Sequence, residues 1–220
     1  VYVTANILAH NYDLDGAREY FKELKEIGPD ALIISDPGMF TLAKEICPEI
    51  ERHISTQANN TNYQTYLFWW QQGAKRVVSA RELSLSEIRE IRDNIPEDME
   101  IESFIHGALC YCYSGQCLFS SVIGGRSGNR GRCAQPCRLP YQLDDGTSGY
   151  LLSTRDLMLI DKIPQMRDAG VYSFKLEGRM KRPEYVGVIT RAYREAMDAA
   201  EAHVHYRPSE KTIRELKQVF

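Results

Sequence analysis

The sequence predicts an α/β fold, a (β/α) barrel of the TIM type, and three observations support this prediction. Short apolar segments alternate with segments of helical periodicity along the first half of the chain. The apolar segments are continuous rather than alternating, as expected for parallel strands covered on both faces. No glycine-rich dinucleotide fingerprint follows any of these segments, which favours a barrel over an open doubly wound sheet.

Five strands and four helices are predicted in order along this half. The strands cover residues 1–7, 31–35, 52–56, 76–80 and 100–105. The helices cover residues 14–27, 37–46, a segment through Leu67 that ends at Gly73, and residues 85–95. Asp36 before Pro37 is a capping signal for the second helix, and Ser84 with Glu87 forms a capping box for the fourth.

The periodic pattern disappears between residue 107 and about residue 150, where cysteines, glycines and arginines dominate. A segment of this length inside a compact domain is usually functional. Regular patterns return as a helix over about 161–169, a strand over 172–177, a helix from Pro183 and a charged amphipathic helix over 206–220. We therefore predict a barrel domain over residues 1–200 with a cysteine-rich insertion over 107–150. Residues 201–220 form a C-terminal helix or begin a further segment.

The composition indicates an ordinary soluble globular protein, with 43% hydrophobic and 26% charged residues in a chain of 220. A net charge of -3 excludes a global field that would attract nucleic acid, so any RNA contact must come from a local patch. No apolar run approaches the roughly 18 residues of a membrane helix, and the N-terminus lacks the zones of a signal peptide. These features predict a cytoplasmic protein.

Five of the six cysteines lie between residues 110 and 137, which predicts a metal site rather than disulfides. They are Cys110, Cys112, Cys117, Cys133 and Cys137. Thiolates favour iron–sulfur clusters and zinc, and spacing alone does not separate these two. The alternative is that some of these cysteines only pack in the interior. Cys47 precedes Pro48 at a predicted helix end, and we expect it to be a core residue.

Several motifs, spread over most of the chain, resemble peptidase family U32. They are Glu102–Cys110 with Tyr113–Gly115 and Cys117, Asn129–Arg138, Ser35–Gly38, Ser55–Ala58, Arg81–Ser84 and Phe174–Lys181. They occur in the order found in that family, and the chain is identified as a member of it by this resemblance.

The resemblance implies two activities. Some family members are described as collagenase-like proteases, and others are associated with oxygen-independent hydroxylation of a tRNA wobble uridine, a ribosomal RNA cytidine or the ubiquinone ring. The hydroxylating members are linked to iron–sulfur clusters and, in the RNA branch, to prephenate. The favoured interpretation is an RNA-hydroxylating enzyme with an iron–sulfur cluster, such as a 4Fe-4S centre. The alternatives are a collagenase-like peptidase and a metal-stabilised binding module without turnover.

By the same resemblance, Cys110, Cys117 and Cys133 fall on the cluster-ligand positions of the family. Many relatives carry a further cysteine where this sequence has Met158, so Cys137 or Cys112 must supply the fourth sulfur, and Cys137 is our choice. Relatives also have two more strand–helix units before the point where this sequence begins. We therefore expect an incomplete barrel of about six strands, whose open edges favour oligomers.

Candidate site residues lie where predicted strands end, because parallel barrels bind substrates at the carboxyl ends of their strands. The candidate catalytic residues are His106, Glu102 and Glu177, and the candidate substrate-binding residues are Arg81, Arg130, Arg132, Lys175 and Arg179. Strand alternation puts Lys175, Glu177 and Arg179 on one face, as an ion-pair ladder or an anion site.

The arginines between the cysteine groups suit an RNA backbone or a small dicarboxylate such as prephenate. Arg130 and Arg132 lie there among glycines, with Arg126 and Arg138 nearby, and no acidic residue adjoins them. The alternative is a solvated loop. The one peptidase-like arrangement is His106 with Cys110, since the sequence contains neither His-Glu-x-x-His nor Gly-x-Ser-x-Gly.

Overall fold

The computed structural model describes residues 1–179 and 181–218. The strands are β1 (Tyr2–Thr4), β2 (Ala31–Ile34), β3 (Glu51–Ile54), β4 (Arg76–Val78), β5 (Glu100–Gly107), β6 (Tyr141–Gln142), β7 (Ser148–Gly149), β8 (Leu157–Met158) and β9 (Ser173–Leu176). The helices are α1 (Leu14–Ile27), α2 (Pro37–Ile46), α3 (Tyr63–Gln72), α4 (Leu85–Asp93), α5 (Phe119–Gly124), α6 (Ile163–Asp168), α7 (Pro183–Glu201) and α8 (Glu210–Gln218).

Six parallel strands form a curled half-barrel. β1 to β5 pair in chain order, and β9 continues the sheet by pairing in parallel with β5. The two-residue strand β8 pairs antiparallel with the last residues of β5. β1 lies at one edge of the described sheet, and β8 and β9 lie at the other. The predicted α/β fold, an incomplete barrel, is confirmed.

The predicted helix starts are also confirmed. The Asp36 side chain accepts a hydrogen bond from the backbone N–H of Met39 at 2.9 Å, which caps α2. Ser84 and Glu87 form both bonds of the capping box that begins α4. α1 ends at Gly28, whose φ of 66° is the left-handed conformation that favours glycine at this position. Local chemistry therefore fixes where these helices begin and end.

The main hydrophobic core lies between the sheet and the helices that cover it. Leu32, Ile54, Val77 and Ile101 are fully buried on successive strands, and Phe21 of α1 is fully buried as well. Burying side chains of this size contributes about 1.5–3 kcal/mol each relative to leaving them exposed. This layer holds the strands in place and so fixes where their carboxyl ends lie.

The opposite face of the sheet carries a buried ion-pair network. Arg76 of β4 bonds Glu100 through Nη2 at 2.6 Å and Glu102 through Nη1 at 3.2 Å. Lys175 of β9 bonds the other oxygen of Glu102 at 3.0 Å, and the Ser173 hydroxyl donates to Glu102 at 2.9 Å. Burial raises the pKa of the Glu102 carboxyl, but these donors lower it more and hold it below its ordinary value.

The cysteine-rich insertion contains more regular structure than the sequence predicted. It includes the short helix α5 and the hairpin of β6 and β7, and β8 follows it. Elements of two to six residues are too short to carry a periodic signal, which explains why they were missed.

The helix predicted over residues 206–220 is shorter in the structure, where it is α8. Val219, Phe220 and Met180, the last of which belongs to a family motif, lie outside the described residues. No helix within 1–179 or 181–218 combines the length and apolarity needed to cross a membrane.

We expect Glu102→Ala to lower the free energy of unfolding by about 3–5 kcal/mol, because it leaves the charges of Arg76 and Lys175 without their shared carboxylate. Urea denaturation at neutral pH measures the change. Glu19→Ala is the matched control, since Glu19 pairs with Lys22 while both side chains are exposed. Equal midpoints for the two variants would contradict the role given to the network.

Candidate active site

Three predicted site residues meet at the carboxyl ends of the strands. Arg81 follows β4, Glu177 follows β9 and Cys110 follows β5. Nη2 of Arg81 lies 3.8 Å from Oε2 of Glu177, and its Nη1 lies 4.0 Å from Sγ of Cys110. The guanidinium also stacks over the Phe104 ring at 4.2 Å from the centroid. We call Arg81, Phe104, Cys110 and Glu177 the strand-end cluster.

A cavity of about 240 Å³ opens beside the strand-end cluster. It is lined by Arg81, Glu82, Leu109, Cys110, Tyr111, Cys112 and Tyr113. The Arg81 side chain is 17% exposed, and its Nε is buried with no hydrogen-bond partner among the described residues. The wall of the cavity therefore includes one cationic side chain, that of Arg81.

The cysteine-rich insertion is anchored to the strand ends through Glu82. Its two carboxylate oxygens accept hydrogen bonds from the backbone N–H of Ser114 at 2.9 Å and from the Ser114 hydroxyl at 2.8 Å. Asn59 donates a third bond at 2.7 Å. Burial raises the pKa of Glu82, but the hydrogen bonds from Ser114 and Asn59 outweigh it and keep the pKa below its ordinary value. Glu82 thus acts as an ionised anchor for the segment.

Gly115 makes the closest approach of the insertion to the barrel. Its φ of +76° is left-handed, and a Cβ atom at this position would lie 2.0 Å from the carbonyl oxygen of Gln57. No other residue fits without displacing backbone. The close approach fixes the stretch between Cys112 and Cys117 against the end of β3.

A second anchor lies between the cysteine groups. Oδ1 of Asn129 accepts from the backbone N–H of Leu8 at 2.6 Å, and its Nδ2 donates to Oε1 of Gln57 at 2.6 Å. The next residue, Arg130, forms a bidentate pair with Asp13 at 3.1 and 2.5 Å. The hydrogen bond from Arg130 lowers the pKa of Asp13 to about 2. This arginine therefore ties the insertion to the start of α1.

The remaining predicted cations divide between structural bonds and solvent. Nη2 of Arg179 donates to the carbonyl of Gly131 at 2.7 Å, so it also holds the insertion. Lys175 belongs to the ion-pair network of the sheet. Arg132 is exposed, and its side chain has no ionic partner in the described part of the chain. Among the predicted substrate-binding residues, Arg81 lines the cavity beside the strand ends.

Cys110 is exposed at the protein surface, yet desolvation of its thiol raises its pKa, Arg81 lowers it, and Cys117, Cys133 and Cys137 raise it. All six cysteines are free thiols. Within residues 1–179 and 181–218, however, no three His, Cys, Asp or Glu side chains converge as a metal-ligand group. The donor set suits a soft metal by its chemistry, and the ligand assignment stays a prediction.

Cys47 lies apart from these sulfurs. It is fully buried in the core, and its Sγ donates to the carbonyl of Ala43 at 3.3 Å. The structure therefore places it where the sequence predicted.

His106 faces away from the strand-end cluster. Its Nδ1 lies 3.1 Å from the Tyr193 hydroxyl, and its ring packs against Tyr185 and Tyr193 of α7. Burial lowers its pKa to about 4, so the imidazole is neutral at physiological pH. A register shift in β5 between Phe104 and His106 breaks the alternation that would put His106 on the face of Glu102. Sequence periodicity gave no sign of this bulge.

Other residues of the site carried weak sequence signals. Ser114 and Asn129 anchor the insertion, yet each is a single polar residue whose partners lie far away in the sequence. Phe104 and Tyr113 had no sequence signal beyond their place in the family motifs, and Tyr111 lies outside those motifs. Their roles follow from contacts that the fold creates.

Similarity to known proteins extends over the whole chain. The profile of peptidase family U32 matches residues 1–220. The chain belongs to peptidase family U32. This confirms the resemblance drawn from the motifs around Cys110 and Cys133.

Relatives of this U32 protein have two kinds of name, those of RNA-hydroxylating proteins and that of a collagenase. It is 41% identical over 211 residues to tRNA hydroxylation protein P1 of Bacillus subtilis, covering 90% of this chain and 50% of the relative. It is 42% identical over 205 residues to a 23S rRNA 5-hydroxycytidine synthase of Escherichia coli, covering 90% and 31%. It is 38% identical over 215 residues to a collagenase of Porphyromonas gingivalis, covering 90% and 51%. The chain thus spans about half or less of the length of these three relatives.

We expect Gly115→Ala to loosen the insertion, because the new Cβ meets the Gln57 carbonyl and the left-handed backbone is strained. Limited proteolysis followed by mass spectrometry should show cleavage within residues 107–150 that is faster by about tenfold. Gly124→Ala is the matched control in the same insertion, since a Cβ there meets nothing within 4 Å. Similar cleavage rates for both variants would show that the Gly115 contact does not hold the segment.

Proposed function

We propose that this U32 protein takes part in the hydroxylation of RNA, with the cavity beside the strand-end cluster as its active site. The observation that carries the proposal is the meeting of Arg81, Cys110 and Glu177 at the carboxyl ends of three strands. Substrates of barrel enzymes bind at these ends. The names of the Bacillus subtilis and Escherichia coli relatives supply the reaction class.

The side chains of this chain have distinct proposed roles. Arg81 binds an anionic group of the substrate, either a phosphate or a carboxylate of a small dicarboxylate such as prephenate. Glu177 holds the Arg81 guanidinium in place, and its own backbone carbonyl accepts from the Tyr185 hydroxyl at 3.1 Å. Phe104 supports the flat face of the guanidinium. Together these contacts present the arginine to the cavity in one orientation.

In this proposal Cys110, Cys117, Cys133 and Cys137 hold an iron–sulfur cluster. The support is that the charges of the other three sulfurs act on Cys110 and that thiolates are the ligands such clusters require. The cluster supplies one-electron redox chemistry when bound. Zinc is the alternative occupant for the same thiolates.

The surroundings of His106 favour hydroxylation over hydrolysis. A cysteine peptidase needs a thiolate beside an imidazolium, whereas burial keeps His106 neutral and its ring packs on α7. A collagenase-like peptidase is the second candidate function, because the chain is similar to the collagenase of Porphyromonas gingivalis.

We expect Arg81→Ala to lower the content of hydroxylated pyrimidine nucleosides by about tenfold or more, since loss of an anion contact worth about 1.4 kcal/mol has this effect. The measurement is nucleoside mass spectrometry of tRNA and rRNA from cells that lack the native gene and carry each variant. Arg18→Ala, an exposed change on α1, is the control. Gelatin hydrolysis by the purified protein that is lost in Cys110→Ala, with unaltered nucleosides in every strain, would instead favour the peptidase.

We expect anaerobically purified protein to contain iron and sulfide, and we expect Cys137→Ser to lose them while Cys112→Ser keeps them. The reason is that Cys137 belongs to the proposed ligand set with Cys110, Cys117 and Cys133, whereas Cys112 lies outside that set. Metal and sulfide analysis with an absorption spectrum provides the measurement. Colourless protein with stoichiometric zinc would rule out the cluster, and loss of iron in Cys112→Ser alone would reassign the fourth ligand.

A further inference from the structure

Two exposed tyrosines flank the cavity beside the strand-end cluster. Tyr111 is 57% exposed and Tyr113 is 67% exposed, and both line the cavity. No aromatic ring of the described residues packs against either of them. Large aromatic side chains gain free energy when their faces are covered, and they are enriched where one surface meets a ligand. Their exposed rings at the cavity therefore suit a flat ligand that can stack on them.

The charge of the site is local rather than global. The whole chain carries a net charge of -3, so long-range attraction does not supply affinity for a polyanion. Arg81 lines the same cavity from the strand ends, so one cation adjoins the tyrosines.

We propose that Tyr111 and Tyr113 stack on the base of an unpaired RNA nucleotide, while Arg81 contacts its phosphate. This inference rests on the proposed function and names the two side chains that hold the base of its substrate. In a duplex both faces of each base are covered by neighbouring bases, so tyrosine rings reach a base face only in an unpaired or extruded nucleotide. Stacking tolerates any base, and the cavity selects for an unpaired one rather than for a sequence.

The Glu82 anchor gives this arrangement its rigidity. Ser114 adjoins Tyr113 in the chain and is 1% exposed, and Glu82 holds both its backbone N–H and its hydroxyl. A stacking residue next to a fixed residue loses less conformational freedom on binding than one on a mobile loop. The tyrosines are exposed, yet the backbone that carries them is fixed.

The test compares two labelled oligonucleotides by fluorescence anisotropy with anaerobically purified protein. One is a uridine hexamer, and the other is the same ribose-phosphate chain without bases. We expect the wild-type protein to bind the uridine hexamer about tenfold more tightly. Tyr111→Leu and Tyr113→Leu should each remove most of this preference and leave binding of the base-free chain unchanged. Tyr150→Leu is the matched control, because Tyr150 is 66% exposed in the same insertion but does not line the cavity.

Each outcome decides the proposal. Equal affinity of the wild-type protein for both oligonucleotides, or an unaltered preference in both cavity variants, would overturn it. An equal loss of preference in Tyr150→Leu would also overturn it, since the effect would then belong to the insertion as a whole. The proposed hydroxylation is measured separately by nucleoside mass spectrometry. Base-dependent binding without hydroxylated nucleosides would retain the stacking site and reject the reaction, and the reverse result would reject only the stacking site.

Discussion

The Glu82 carboxylate holds the first group of cysteines in the insertion against the strand ends. Glu82 follows β4 by a few residues, and the hydrophobic layer behind the sheet fixes where that strand ends. Three donors on Ser114 and Asn59 hold the carboxylate, and hydrogen bonds to an ionised group are stronger than neutral ones. Ser114 lies between Cys112 and Cys117 in the chain. The anchor therefore sets where these sulfurs can lie.

The same anchor is coupled to the guanidinium at the cavity. The backbone N–H of Arg81 donates to the Ser114 hydroxyl at 3.2 Å, and that hydroxyl donates to Glu82. Arg81 then extends toward Glu177 and Cys110. A shift of Ser114 would change the backbone position of Arg81 as well as the path of the cysteines. The Cys110 thiol, the Arg81 side chain and the Glu82 carboxylate thus belong to one connected set of hydrogen bonds.

The sequence could predict those parts of the molecule whose causes are local. Strand order, the caps at Asp36 and Ser84 and the strand-end positions of Arg81 and Glu177 follow from periodicity, capping chemistry and parallel topology. The pairing of Arg130 with Asp13 could not be predicted, because the two residues are 117 positions apart in the chain. An arginine between glycines reads as a ligand site until its distant carboxylate is known.

The bulge in β5 determines on which face of the sheet the His106 side chain lies. Strict alternation would put His106 on the face of Glu102, whereas the register shift directs it to Tyr193 of α7. Among the described residues that line the cavity are two thiols, those of Cys110 and Cys112, the Arg81 guanidinium and the carboxylate of Glu82, which is already hydrogen-bonded. Thiols beside a guanidinium suit a soft metal and an anionic ligand better than a proton relay through imidazole. One extra residue in a strand thereby directs the imidazole of His106 to α7.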